Sequence, residues 1–250
     1  MRETILRSFQ GCAKKVRDVI MPSEIDMGKK VGTGADGTPI KKIDQMAENT
    51  AVEFLMETHD FSILSEEAGF IEGDSEGTVI MDPIDGTSNA VLGIPFYAVS
   101  LAYTPTDLRG VEVGYVMNLP VGTEFYAVKG RNRSFAPKKN SMNFSVYMGK
   151  EAHPDCFKVA ALPRRTRSLG SAALEMSMVA SGALDLYYMK TVDMRRSLRI
   201  TDIAASTLIL REAGGEVYGG DHEPLNMPLD PKVRRDVIAV RDPGLMEALP

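Results

Sequence analysis

Thr78-Val79-Ile80-Met81-Asp82-Pro83-Ile84-Asp85-Gly86-Thr87 carries an apolar run straight into two carboxylates and a turn. Pro83 biases Asp82 toward extended backbone, so the first carboxylate continues a strand. Asp85 then stands at the turn, where Gly86 lets backbone approach a ligand. The acidic pair Glu66-Glu67 lies 15 residues before Asp82. Glu66, Asp82, Asp85 and the Ile84 carbonyl offer only oxygen, the preference of Mg²⁺ rather than of zinc or copper. Gathered carboxylates repel and raise one another's pKa unless cations neutralise them, so a fold that collects them implies bound metal. For any one of them a plain surface acidic loop is the alternative. A carboxylate cage beside free amides suits phosphate ester hydrolysis.

Outward from this stretch, apolar residues at three- and four-residue steps predict two amphipathic helices. The first, over 2–20, uses Ile5, Leu6, Phe9, Cys12, Ala13, Val16, Val19 and Ile20. The second, over 41–58, uses Ile43, Met46, Ala47, Ala51, Phe54 and Leu55. Residues 62–65 read as a short strand ending at Glu66-Glu67, and the glycine-rich piece 69–77 reads as one reversal that lays 78–81 beside it. Residues 96–103, 111–117 and 124–128 are β-rich runs separated by turns, a meander. The remainder alternates strand and helix: helix from 171 to 180, strand over 184–189, helix over 202–213 stopped by Gly214-Gly215, strand over 237–240, then a short helix. Basic, polar residues 129–143 mark the candidate boundary between a metal-binding domain (1–135) and a substrate-binding domain (136–250).

The chain has 250 residues, 44% hydrophobic and 25% charged, the profile of a soluble globular protein. No apolar run is long enough for a membrane span, and residues 1–7 lack the apolar core of a secretory signal, which places the protein in the cytoplasm. The net charge of −5 is unevenly spread. Residues 36–85 hold 13 acidic side chains against Lys41 and Lys42, whereas residues 131–211 hold 14 basic against 6 acidic. A sequence pI near 5.4 argues against nucleic acid, and a small anion held between metals and arginines fits better. Cys12 and Cys156 match no zinc or redox motif and are either two buried thiols or a disulfide.

Thr201-Asp202-Ile203-Ala204-Ala205 supplies a distant carboxylate, with Thr201 as a candidate N-cap; capping alone would also account for Asp202. Thr87 opens a short helix whose first amides, with Gly86, are candidates for an anion site. Gly32-Thr33-Gly34-Ala35-Asp36-Gly37 fits a dinucleotide pattern by letter, but no buried strand precedes it and Pro39 follows, so it reads as a mobile loop. Arg164, Arg165, Arg167, Arg195, Arg196 and Arg199 form two clusters, some of which are candidates for a second anionic group of the substrate.

Ser65-Glu66-Glu67, the Asp82-to-Thr87 motif and Thr201-Asp202-Ile203-Ala204-Ala205 together resemble the inositol monophosphatase and fructose-1,6-bisphosphatase superfamily. Gly34-Ala35-Asp36-Gly37-Thr38-Pro39 and Val192-Asp193-Met194-Arg195 look most like its archaeal dual-activity branch. The resemblance implies an α+β fold of layered αβαβα type, a homodimer, and two to three Mg²⁺ ions per site, with Mn²⁺ able to substitute. By motif matching, Glu66, Asp82 and the Ile84 carbonyl would hold the first ion, Asp82, Asp85 and Asp202 the second, and Glu66 with Glu67 a third. Asp44 and Thr87 would orient the attacking water, with Glu67 assisting. Asp85, Gly86, Thr87, Arg165, Arg167, Ser168, Ser171, Ala172 and Arg195 would bind substrate. Tyr187-Tyr188 is followed by Met189 where animal inositol phosphatases carry a sugar-binding glutamate, which favours substrates with a second phosphate.

The expectation is therefore a Mg²⁺-dependent phosphomonoesterase for fructose 1,6-bisphosphate and myo-inositol 1-phosphate, attacking in line without a covalent phosphoenzyme. The rivals are a 3'-phosphoadenosine 5'-phosphate phosphatase and a catalytically silent sugar-phosphate sensor. Neither a nucleic-acid nor a membrane partner is expected.

Overall fold

The computed structural model describes residues 1–21, 26–34, 39–131 and 142–250. Helix α1 (Arg2–Ile20) buries Ile5, Leu6, Phe9, Cys12, Ala13, Val16 and Ile20 along one stripe, as the apolar spacing predicts, while Val19 falls off that stripe and stays exposed. A short hairpin of β1 (Lys30–Thr33) and β2 (Pro39–Lys41) leads into α2 (Lys42–Thr58), which packs against α1. Residues 35–37 of the glycine-rich loop, and most of the candidate domain boundary at 129–143, lie outside the described residues.

Six strands follow: β3 (Phe61–Ser65), β4 (Gly69–Ile71), β5 (Ser75–Asp85), β6 (Ala98–Thr104), β7 (Val113–Asn118) and β8 (Glu124–Val128), with the short helix α3 (Thr87–Val91) after β5. Their order is β4-β3-β5-β6-β7-β8. Residues 69–77 make two reversals rather than the single one expected. β4 folds back antiparallel on one edge of β3, and β5 then runs parallel along the other edge. The parallel register sets Ser65 opposite Met81, and the Glu66 amide donates to the Met81 carbonyl at 3.2 Å. Glu66 thereby comes beside Asp82.

The second half supplies β9 (Asn143–Val146), α4 (Pro154–Ala160), β10 (Arg165–Arg167), α5 (Ala172–Ala180), β11 (Leu186–Met189), α6 (Ile200–Glu212), β12 (Glu216–Gly219) and β13 (Val237–Val240). These strands form a sheet ordered β10-β9-β11-β13-β12. The C-terminal turn expected as a helix is a 3₁₀ segment, Pro243–Ala248.

Strand periodicity sorts the side chains into three cores. In β5, Val79 and Met81 face α1 and α2 while Ile80 faces the other way, toward α5 and α6. In β13, Val237 and Ala239 face α5 and α6, whereas Ile238 and Val240 face α4 and the C-terminal segment. The layers therefore run helix, sheet, helix, sheet, helix, the αβαβα arrangement. Helix α6 lies between the two sheets, and residues 200–210 are all buried, so it carries no amphipathic stripe. Gly114 of β7 permits its close approach: a Cβ there would lie 2.6 Å from the Ala205 carbonyl oxygen. Cys12 and Cys156 are buried free thiols in different cores, which removes the disulfide alternative.

No helix among the described residues is long and apolar enough to cross a membrane.

Candidate metal centre

Three elements from distant parts of the chain deliver carboxylates to one point. Glu66 follows β3, Asp82 sits within β5, and Asp202 is the third residue of α6. Oxygens of all three lie within 4.8 Å of one another. Asp82 is held by the Ile84 amide at 2.9 Å. Asp202 accepts the Arg199 amide at 2.8 Å and the Thr201 hydroxyl at 3.1 Å. The cap position of α6 is thus Arg199, in extended conformation, rather than Thr201. The helix begins two residues earlier because the Asp202 carboxylate folds back onto the Arg199 N–H.

Burial pushes Glu66, Glu67 and Asp82 toward their neutral forms, and repulsion from neighbouring carboxylates adds to it. Glu66 is pushed up to about 7, chiefly by burial, with Asp202 adding and the Arg199 guanidinium opposing. Asp82 is raised well above the carboxylate range by burial, then by Glu66, Asp85 and Asp202. Glu67 rises to about 8 through burial and then Glu66, and its Oε2 is buried without a hydrogen-bond partner. Oxygen donors that repel one another, beside an orphaned carboxylate oxygen, suit a hard divalent cation. Arg199 Nη2 meets Glu66 Oε1 at 2.7 Å, with its side chain only 8% exposed.

Asp85 stands next to this group but outside the three-carboxylate cluster. Its oxygens accept the Ser171 hydroxyl and the amides of Ala172 and Ala173 at the start of α5. Burial holds its pKa up to about 8, opposed by the Ser171 and Ala173 contacts. On the other side, Thr87 donates its hydroxyl to Asp44 Oδ1 at 2.8 Å and lies 3.1 Å from the Ile84 carbonyl. The Lys41 amide fixes the second Asp44 oxygen at 3.1 Å. Asp44, Thr87, Ile84 and Asp82 therefore form one connected string.

Gly86 has φ +94°, and a Cβ there would sit 3.1 Å from the Gly170 oxygen and 3.2 Å from Ser171 Cβ. Both the left-handed backbone and the contact with the 168–171 loop exclude a side chain. Gly86→Ala is expected to destabilise the protein by about 1–3 kcal/mol, read as a lower midpoint in urea unfolding. An unchanged midpoint would contradict this account of the turn.

A cavity of about 500 Å³ opens over these groups. Glu66, Asp82, Ile84, Asp85, Gly86, Thr87 and Asp202 line one side, and Ser168, Ser171 and Ala172 border it. Tyr147, Met148, Met189 and Leu198 add apolar surface to the same lining. Arg165 and Arg195 are absent from this lining. Arg165 lies exposed on the edge strand β10, and Arg195 sits in an exposed 3₁₀ turn paired with Asp193 at 2.8 Å. Arg167 is half-buried beside the loop, and Arg199 is the guanidinium that reaches the cavity. The signal for Arg199 was its position three residues before Asp202, where a helix start folds the two together. Two further glutamates were not singled out from sequence. Glu48 binds the Ser65 hydroxyl and the Ala68 amide, securing the Glu66-Glu67 turn, and Glu175 secures the 168–171 loop. Glu48 occupied an ordinary helical position, and nothing local distinguished it.

Residues 1–249 match the inositol monophosphatase family. A fructose-1,6-bisphosphatase/inositol-1-monophosphatase of Methanothermobacter thermautotrophicus is 37% identical, over 90% of this chain and 86% of that protein. A bifunctional NADP phosphatase/NAD kinase of Methanococcus maripaludis is 34% identical over 95% of this chain, which spans 46% of its length. A solved structure of a hypothetical Pyrococcus horikoshii protein with similarities for inositol-1 monophosphatase superposes with TM-score 0.84 at 26% identity, covering 99% of this chain and 97% of that one. With its layered fold, its acidic centre and these likenesses, the chain belongs to the inositol monophosphatase family.

Proposed function

We propose that this protein is a Mg²⁺-dependent phosphomonoesterase whose substrates are fructose 1,6-bisphosphate and myo-inositol 1-phosphate. The reaction class, phosphoric monoester hydrolysis of sugar phosphates, follows from the family. One observation carries the rest of the reading: the Glu66–Asp82–Asp202 cluster lines the same cavity as Thr87, whose hydroxyl is held by Asp44 behind it. Glu66, Glu67, Asp82, Asp85 and Asp202, with the Ile84 carbonyl, would hold two to three ions. A divalent cation bound there neutralises charge on the phosphoryl oxygens and acidifies water.

The chain's own groups do the positioning. Thr87 gives its single proton to Asp44, so its oxygen lone pairs are left to accept from a water and turn that water's own lone pair toward phosphorus. Asp44 is locked by the Lys41 amide and cannot swing away. The amides of Gly86 and Thr87, at the start of α3, would take phosphoryl oxygens. Asp85, anchored on α5, would meet the alcohol portion.

A second reading is a nucleotide phosphatase. The apolar surface that Tyr147, Met148, Met189 and Leu198 contribute to the cavity favours it, because a purine face needs such a surface. The M. maripaludis relative is named for NADP phosphatase activity. Measuring phosphate released from fructose bisphosphate, inositol 1-phosphate, phosphoadenosine phosphate and NADP, with Mg²⁺ and with chelator, decides the matter. Sugar phosphates are expected to turn over fastest, and only with metal. Faster release from the adenine nucleotides would replace the first reading by the second, and equal rates in chelator would overturn both.

A further inference from the structure

Glu175 is 3% exposed, lies one turn into α5, and touches none of the residues expected to hold metal through a hydrogen bond. Its carboxylate instead accepts four donors. Oε1 takes the Leu169 amide at 3.1 Å and the hydroxyl of Ser145 from β9, while Oε2 takes the amides of Gly170 and Ser171, both at 3.1 Å. A glutamate in the first turn of a helix ordinarily reaches back to one N–H. Three consecutive amides plus a hydroxyl form a closed concave ring around one anion, which is far more than capping requires.

The stereochemistry makes the carboxylate irreplaceable. Three of the four partners are amides that can only donate, at least one on each oxygen, so both oxygens must accept. A glutamine would turn an NH₂ group toward two N–H groups or toward an N–H and a hydroxyl, leaving buried donors unpaired. With its amides turned inward, the loop directs its carbonyls elsewhere: Leu169 O is taken by Asn89 Nδ2 at 2.7 Å, which ties the loop to α3. Ser171, whose amide Glu175 holds, passes its hydroxyl to Asp85, and Ala173 adds its amide at 2.8 Å. A chain of contacts thus runs from Glu175 through Ser171 to Asp85 at the cavity.

We propose that Glu175 is a positioning residue: it fixes the 168–171 loop and, through Ser171, sets Asp85 and the loop against the alcohol portion of the substrate. This rests on the phosphatase reading above. It assigns control of substrate fit to a carboxylate at the edge of the cavity that acts through the loop it holds.

The test uses the full chain with Glu175→Gln, Ser171→Ala and the double variant. Glu175→Gln is expected to lower kcat/KM by about 10- to 100-fold, mainly through KM, because misplacement on the order of 1 Å has effects of that size. The double variant is expected to lose less than the product of the two single losses, because both break one chain. Glu175→Asp keeps the charge, and partial recovery of KM is expected. An unchanged KM in folded Glu175→Gln, or strictly multiplicative losses in the double variant, would overturn the proposal. If Glu175→Gln fails to fold, Ser171→Ala alone serves, since it leaves the Glu175 ring intact: a raised KM supports the chain and an unchanged KM rejects it. Absence of wild-type turnover would instead sink the phosphatase reading itself.

Discussion

Asp82→Asn is expected to lower phosphate release by about 10³-fold or more while raising the melting temperature of the metal-free protein. The two effects have one cause. Asp82 is buried among Glu66, Asp85 and Asp202, which hold its carboxyl well above the normal range. Keeping that group protonated at neutral pH costs folding free energy that a neutral amide does not. The asparagine oxygen can still accept the Ile84 amide, and its NH₂ can face Glu66 and Asp202. Relief of about 1–2 kcal/mol corresponds to several degrees for a chain of this size. The gain should be present at pH 8 and nearly gone by about pH 3, where the unfolded aspartate is itself largely protonated. With one donor of the cluster gone, added Mg²⁺ should no longer raise the melting temperature. Calorimetric scans with and without chelator, beside a phosphate assay, check all of this. A lower metal-free melting temperature, or undiminished turnover, would contradict it.

The second large effect is a crossing of pH and metal dependence. Glu66 is held up to about 7, and Glu67 and Asp85 to about 8, in each case first by burial. A carboxyl whose folded pKa exceeds its unfolded value binds more protons in the native state across that window. Its contribution to stability is therefore present below about pH 4 and lost as pH rises through 7 to 8. Asp155 works in the opposite direction, depressed by contacts with Lys158 and Lys190, but its change falls below pH 4. In chelator, the melting temperature should decline from pH 5 to 9. Saturating Mg²⁺ should remove most of that decline, since cations favour the ionised acids that bind them. Thermal scans in both conditions test this, and two parallel curves would mean the raised acids are not the ones that meet the ion.

The sequence alone determined the pieces whose physics is local. The stripe of α1, the β-rich meander from β6 to β8 and the Asp82-to-Thr87 turn follow from periodicity, proline and glycine, which act within a few residues. The motif spacing also named Glu66, Asp82 and Asp202, which the fold does bring within one ion's reach. Tertiary structure decided the rest. Whether 78–81 ran parallel or antiparallel to β3 depended on β4 claiming the other edge. Helix α6 hid its true start because a segment buried on every side has no polar face to mark its phase. Arg165 and Arg195 share their chemistry with Arg199, yet only Arg199 reaches the cavity, since arginine's placement follows the element that carries it. Glu48 and Glu175 look like ordinary helical glutamates until the backbone amides of distant loops close around them. Local preference is written along the chain, whereas the partners of a buried charge exist only once the layers have stacked.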